Sequence, residues 1–277
     1  MEKVFVGLQL YGIRDVLQGN PEKFEEVMQQ VKDMGYDGVE FAGLYGLEPE
    51  YIRDTLKKIG LIPISAHVPL AEMMEDINYV GETYAKIGCE YVAVPYLPEE
   101  YRPNAPGYET AIEMIADYGK AVKPYGLQML YHNHDFEFVT LPNGTYGFDD
   151  IYTQIPADVL QVQPDTCWIK VAGEDPAAYV RKYTGRCPIV HLKDFIKEGD
   201  PANMYELIGT KTEEKKISRG MFKFRAVGSG QQDWQPILDA TVEAGAKWVI
   251  VEQDQSYELA SLECARMSRE YLKTLGW

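Results

Sequence analysis

A chain of 277 residues, 45% hydrophobic and 25% charged, has the material for one large globular domain or two small ones, which excludes disorder and coiled coil. Twenty-seven Lys and Arg against 43 Asp and Glu leave a formal charge of −16, which repels phosphate backbones and makes nucleic acid an unexpected partner. No apolar run reaches the ~20 residues of a membrane span and the N-terminus lacks a signal-peptide h-region, so no membrane partner and a cytoplasmic location are expected; Cys89, Cys167, Cys187 and Cys264 show no CxxC spacing and read as reduced thiols.

Along the chain, short β-rich apolar runs alternate with longer segments of helical period. The first run, 4–10, leads to a helix that Asn20 would cap, with Pro21 at its first position, an apolar stripe of Phe24, Val27, Met28, Val31 and Met34, and Gly35 as its stop. Runs at 38–41, 62–67, 91–95, 127–134 and 160–165 follow. Asp175-Pro176 then opens a helix that Gly185 closes, and after the run 188–193 Asp233 opens another, carrying Trp234, Ile237, Leu238 and Thr241, with Gly245 beyond its end. The eighth run is 248–252. This alternation predicts parallel βα units, and eight of them fit one α/β domain over residues 1–277, a closed (β/α)8 barrel of the TIM type. The alternative, an open doubly wound sheet, is weakened by the first βα turn, Tyr11-Gly12-Ile13-Arg14-Asp15, which lacks a GxGxxG phosphate cradle.

The residues ending successive strands, Gln9, Glu40, His67, Pro95, His134, Asp165, His191 and Glu252, are separated by 31, 27, 28, 39, 31, 26 and 61 positions. The last step marks an insertion at about 195–232, a polar stretch with Lys211, Lys215, Lys216, Arg219, Lys223 and Arg225, which reads equally as a lid or as a solvated surface loop. Strand C-termini of such a barrel share one mouth, so polar residues that end strands converge. All four histidines, His67, His132, His134 and His191, lie at strand ends. Carboxylates accompany them: Glu137 after the fifth run, Asp165 at the end of the sixth and Glu252 at the end of the eighth. Acids beside apolar walls need a cation or hydrogen bonds, so Glu137, Asp165, His191 and Glu252 are the expected ligands of one divalent cation, manganese foremost, with magnesium, cobalt or zinc also compatible. The rival reading has these acids capping helices or pairing with lysines. Period-two alternation puts Lys193 on the inward face with His191, where it would bind a substrate hydroxyl or stabilise an oxyanion, and makes His132 and His134 companions on one face, at least one of them touching substrate.

With these residues identified, the chain resembles the sugar phosphate isomerase/epimerase family, the xylose isomerase-like TIM barrels. The marks are GLQLYGIRD at 7–15, GYDGVEFAG at 35–43, SAHVPL at 65–70, YHNHDFEF at 131–138, HLKDF at 191–195, VGSGQQDW at 227–234 and VIVEQD at 249–254. The resemblance implies a metal held by Glu137, Asp165, His191 and Glu252, with Glu137 and Glu252 doubling as catalytic acid/base groups, and with Glu40, His67 and Gln9 contacting substrate. Three residues beyond Asp165, where several epimerases of the group carry histidine, this chain has Trp168, either a flat surface for a sugar ring or core packing. A ketose or keto-sugar isomerised or epimerised through a metal-stabilised enediolate is the first expectation; a dehydratase or lyase acting on a keto-inositol or 3-keto-glycoside shares the same first step. An apurinic endonuclease-like hydrolase and a non-catalytic carbohydrate-binding barrel are weaker alternatives. A homo-oligomer is compatible with the sequence.

Overall fold

Alternation along each strand decides which side chains face the barrel axis and which face the helices. A computed structural model describes residues 4–202, 204–208 and 218–277, and ten strands form among them: β1 (Phe5–Gln9), β2 (Gly38–Ala42), β3 (Ile62–His67), β4 (Tyr91–Val94), β5 (Gln128–His132), β6 (Leu160–Gln163), β7 (Ile189–Leu192), β8 (Asp194–Asp200), β9 (Arg219–Arg225) and β10 (Trp248–Val251). Eight of these make one parallel sheet in the order β6-β5-β4-β3-β2-β1-β10-β7. The ring closes between β6 and β7 through a parallel bridge of Asp165 with His191 and a hydrogen bond from His191 N to Pro164 O of 2.9 Å. Two of the residues expected to bind a cation therefore form the closing seam.

The inward positions divide into two levels. Ile64, Tyr91, Leu130, Ile189, Trp248 and Ile250 form an apolar plug toward the N-terminal ends of the strands. Their outward neighbours Val92, Met129, Val190 and Val249 join the larger core under the helices. Each such side chain, fully buried, stabilises by roughly 1.5–3 kcal/mol. Above the plug, toward the strand C-termini, the inward residues turn polar: Glu40, Ser65, His67, His132, Gln163 and His191 are all buried there.

The helix Phe24–Met34 buries Phe24, Val27, Met28 and Val31 and ends at Gly35, whose φ of 97° is the left-handed conformation glycine adopts without strain. Asn20 makes no side-chain cap bond, because a short 3-10 turn, Pro21–Lys23, intervenes and its amide turns back to the carbonyls of Val16 and Gln18. Asp175 does cap, accepting from Ala177 N at 2.9 Å; Asp233 does not.

The insertion begins as an antiparallel ribbon, β8 paired with β9 from Asp194↔Arg225 to Asp200↔Arg219. One of its faces is aromatic. Phe195, Phe222 and Phe224 pack with Cys167 and Trp168, so this part is anchored by burial. Lys223 and Arg225 point outward and each pair with Glu258 at 3.2 Å. A short turn, Met204–Ile208, stands beside the mouth, with Tyr205 Oη donating to Asp135 Oδ1 at 2.6 Å. Lys211, Lys215 and Lys216 lie outside the described residues. The four cysteines are free and buried, and among the described residues no helix is long and apolar enough to cross a membrane.

Candidate functional site

Four side chains from four neighbouring strand ends meet at the mouth. His132 closes β5, Asp165 follows β6, His191 lies in β7 and Glu252 follows β10; one ligand atom from each lies within 4.8 Å of the others. His132 Nε2 is 3.6 Å from Asp165 Oδ2 and 4.0 Å from Glu252 Oε2, and His191 Nδ1 is 2.9 Å from Glu252 Oε2. Ligands held at ~2.0–2.2 Å from one ion stand about 3–4 Å apart, so these spacings suit a single divalent cation. Asp165 serves two purposes. Its Oδ1 caps the helix Thr166–Val171 by accepting from Trp168 N at 3.0 Å, leaving Oδ2 buried and turned toward the cluster, 3.1 Å from Lys193 Nζ. Asn133 secures the turn by accepting from Asp165 N at 2.8 Å.

The converging set differs from the expected one in a single member. Glu137 is not part of it; both of its oxygens are engaged elsewhere, by Tyr131 Oη at 2.5 Å and His134 N at 2.7 Å. Tyr131 faces the helices, and Glu137, in the 3-10 turn Phe136–Phe138, follows it to that side, while His132 takes the inward position. Burial pushes the Glu137 carboxyl up to about 8, against the pull of its Tyr131 and His134 donors. Trp168 also lies off the cavity. It is fully buried, parallel to Phe222 at 5.8 Å and tilted against His134 at 5.2 Å, so it packs behind the wall.

Beneath the four, Glu40 accepts from Gln9 Nε2 and Gln163 Nε2, each at 2.7 Å, and from Ser65 Oγ. His67 Nε2 lies 2.8 Å from Gln163 Oε1 and 3.1 Å from Glu40 Oε1. His191 Nε2 is 2.7 Å from Glu40 Oε1, though off the direction of a hydrogen bond. Gln9 and Glu40 thus form the floor of the site, with His67 between floor and cavity. Burial resists ionisation of Glu40, but the His67 and His191 rings hold its carboxyl well below the usual range. For His191, burial is outweighed by Glu40 and Glu252, which push the imidazolium up to about 10. The same negative field favours a metal cation, whose binding at that ring would release the proton.

Lys193 projects inward with His191, as alternation requires, and its Nζ meets Glu252 at 2.9 Å, Asp254 at 3.0 Å and Asp165 at 3.1 Å. Burial pushes Asp254 up to about 7, opposed by Lys193 and aided by Glu252. Burial pushes the rings of His132 and His134 well below the usual histidine range. Above these groups opens a cavity of about 370 Å³, lined by His67, His132, His134, Lys193, Glu252 and Asp254 and walled by Tyr11, Pro69, Glu72, Pro95 and Tyr96. Asp254, Tyr11, Tyr96 and Glu72 were missed in the sequence reading. Asp254 was legible, because it stands two residues beyond Glu252 with the same parity as His191 and Lys193. The other three come from loops after the strands, where parity gives no guidance.

Two nitrogen and two oxygen donors, converging from four strand ends, fit a divalent cation held by His132, Asp165, His191 and Glu252. A family model described as xylose isomerase-like TIM barrel matches residues 28–275. A protein of Lacticaseibacillus casei named inosose dehydratase is 30% identical over 283 residues, covering 92% of this chain and 90% of that one. A crystal structure of a sugar phosphate isomerase/epimerase from Parabacteroides distasonis aligns with a TM-score of 0.77 at 19% identity, covering 98% of this chain and 94% of that one. The crystal structure of an IOLI protein with a bound zinc atom aligns with a TM-score of 0.70 at 16% identity, over 98% of both chains.

Proposed function

The chain belongs to the xylose isomerase-like TIM barrel family, and we propose that within it the protein is a divalent-cation-dependent lyase, removing a group β to the carbonyl of a keto-inositol or a 3-keto-glycoside. When that group is a hydroxyl the reaction is a dehydration. The observation that carries the reading is the meeting of His132, Asp165, His191 and Glu252 within 4.8 Å, beside Lys193 and Asp254 on one cavity wall. Kinship with proteins named inosose dehydratases favours elimination over the epimerisation first expected from the sequence. So does the position of Glu137: a proton exchange between Glu137 and Glu252 across opposite faces of a substrate needs both in the cavity, and Glu137 does not line it.

A cation held by the four residues would act as a Lewis acid on a carbonyl oxygen, raising the acidity of the neighbouring C–H. Asp254 faces the cavity and takes the proton from that carbon. The carbon's electron pair forms the new double bond as the β C–O bond breaks. Lys193 delivers a proton to the departing oxygen, so that water or an alcohol leaves. Asp254 and Lys193, 3.0 Å apart, then exchange a proton directly and both return to their starting states. His134 and Tyr96 flank the ring, and the floor of Gln9, Glu40 and Gln163 keeps His67 and His191 oriented.

The test is incubation with manganese and a panel of keto-inositols and 3-keto-glycosides in deuterated water, followed by NMR and ultraviolet absorbance. The expected result is an enone chromophore with loss of the β group. Deuterium in recovered sugar together with its inverted epimer, without elimination, would establish the epimerase outcome instead. No label and no consumption of any member of the panel would overturn the enolisation chemistry altogether.

A further inference from the structure

We propose that the catalytic cavity continues into a second sugar-binding subsite on the flank of the helix Leu70–Ile87, made for a neutral glycosyl ring attached to the keto-sugar that reacts. The inference rests on the keto-sugar reading above and selects, between its two substrate classes, the 3-keto-glycosides.

A second cavity of about 400 Å³ adjoins the first and shares Gly43 and Glu72 with it. Its shape originates at Asp76, whose φ of −159° and ψ of 95° break the helix; Asp76 Oδ1 then accepts from Asn78 N and Tyr79 N, each at 3.0 Å, and restarts it. The restarted turns carry Tyr79, Thr83 and Tyr84 to the cavity wall, with Tyr79 and Thr83 one above the other at i,i+4 spacing.

Two of these residues are unusual. Thr83 and Tyr84 are only 6% and 4% exposed, both line the cavity, and among the described residues neither side-chain hydroxyl has a hydrogen-bond partner. Neither hydroxyl oxygen is sealed off from the cavity, so each is open to it and can exchange a water for the hydroxyl of a ligand. Tyr79, 63% exposed, offers a flat ring at the rim on which the C–H face of a sugar can lie. Glu72 and Glu75 line the same cavity, and among the described residues no hydrogen bond or ion pair engages either carboxylate. Carboxylates are strong acceptors for sugar hydroxyls and repel phosphate, which makes the occupant hydroxyl-rich and uncharged.

The subsite also fits the chemistry. In a 3-keto-glycoside the proton lost is that of C2 and the bond broken is C1–O, so the second ring is the leaving group. The electron pair of the C2–H bond becomes the C1–C2 double bond, and the proton from Lys193 converts the departing glycosidic oxygen to a hydroxyl. A ring seated against Tyr79 and Thr83 is thereby released as a free sugar.

The test measures binding by calorimetry to the manganese-loaded intact protein carrying Lys193→Met, the parent for this comparison, in which elimination is too slow to consume the probes. A keto-inositol and methyl 3-ketoglucoside serve as one-ring probes and 3-ketocellobiose as the two-ring probe. The two-ring probe is expected to bind at least tenfold more tightly. Tyr79→Ala, at an exposed position, should remove that advantage and leave one-ring affinity unchanged, and Thr83→Val should reduce it. Equal affinities in the parent protein, or an advantage that survives both substitutions, would overturn the subsite while leaving the lyase reading intact. Failure of all three probes to bind would bring down the keto-sugar reading, and the subsite with it.

Discussion

Asp194 offers a sharp test of how the mouth is held together. Its buried carboxylate accepts five hydrogen bonds: Phe195 N at 2.9 Å and Gln232 N at 3.2 Å on Oδ1, and Gly228 N and Gly230 N at 2.9 Å and Trp234 Nε1 at 3.2 Å on Oδ2. It thus ties the end of the segment bearing His191 and Lys193 to the loop 227–234 at the far end of the insertion. Gly230 is required for this approach, since a Cβ there would collide with Asp194 Oδ1 and come within 2.5 Å of Phe195 O. In Asp194→Asn the shape is kept but one oxygen becomes an NH2 group. The less costly rotamer sets that NH2 against the two donors of Oδ1. Two buried donors left unpaired cost ~1–3 kcal/mol each, and the other three bonds lose their charge assistance, so a total of about 4 kcal/mol is expected. Against a usual stability of ~5–15 kcal/mol the variant still folds, and at ~2–4 °C per kcal/mol its Tm falls by about 8–16 °C. Thermal unfolding followed by circular dichroism is the assay. A fall of less than about 2 °C would show that the five bonds are not an anchor, and the argument from unpaired donors would fail.

Manganese at a hundred times its Kd should stabilise the protein by about 2.7 kcal/mol, visible as a rise in Tm. His132→Ala and Asp165→Asn should abolish most of that rise, whereas Glu137→Gln should preserve it, which separates the observed cluster from the ligand set that includes Glu137. Glu137 also sets a pH dependence: its carboxyl binds a proton up to about 8 in the folded chain but only to its ordinary 4.5 when unfolded. The folded state therefore holds the extra proton between those values, and stability falls as pH rises from 4.5 to about 8, by at most ~5 kcal/mol, then levels off. Glu137→Gln should flatten the slope of urea-unfolding free energy over that range; an unchanged slope would refute the assignment. Lys193→Met should slow elimination by about 10²–10⁴-fold while the manganese-induced rise in Tm persists, and a variant as fast as the parent would remove Lys193 from the mechanism.

Much of this molecule was legible in local pattern. Eight apolar runs give the eight barrel strands to within a few residues, because a strand buried on both faces must be nearly continuous in apolar residues. Strand ends named Asp165, His191 and Glu252, and alternation carried Lys193 inward from His191, since side chains two apart in a strand share a face. The same rule applied to Glu252 reaches Asp254. What alternation cannot say is where a side chain points once the strand has ended. Glu137 lies five residues beyond His132, inside a 3-10 turn, and the hydroxyl of Tyr131 and the backbone of His134 decide its direction. By sequence Trp168 reads either as a sugar platform or as core packing, and the aromatic face of the ribbon, formed by Phe195, Phe222 and Phe224 far along the chain, buries it. The strand pattern depends on each residue's nearest neighbours along the chain, so sequence determined it. The orientation of loop side chains, the choice of His132 over Glu137 and the cavity beside Tyr79 depend on contacts between distant segments, and only the closed barrel decided them.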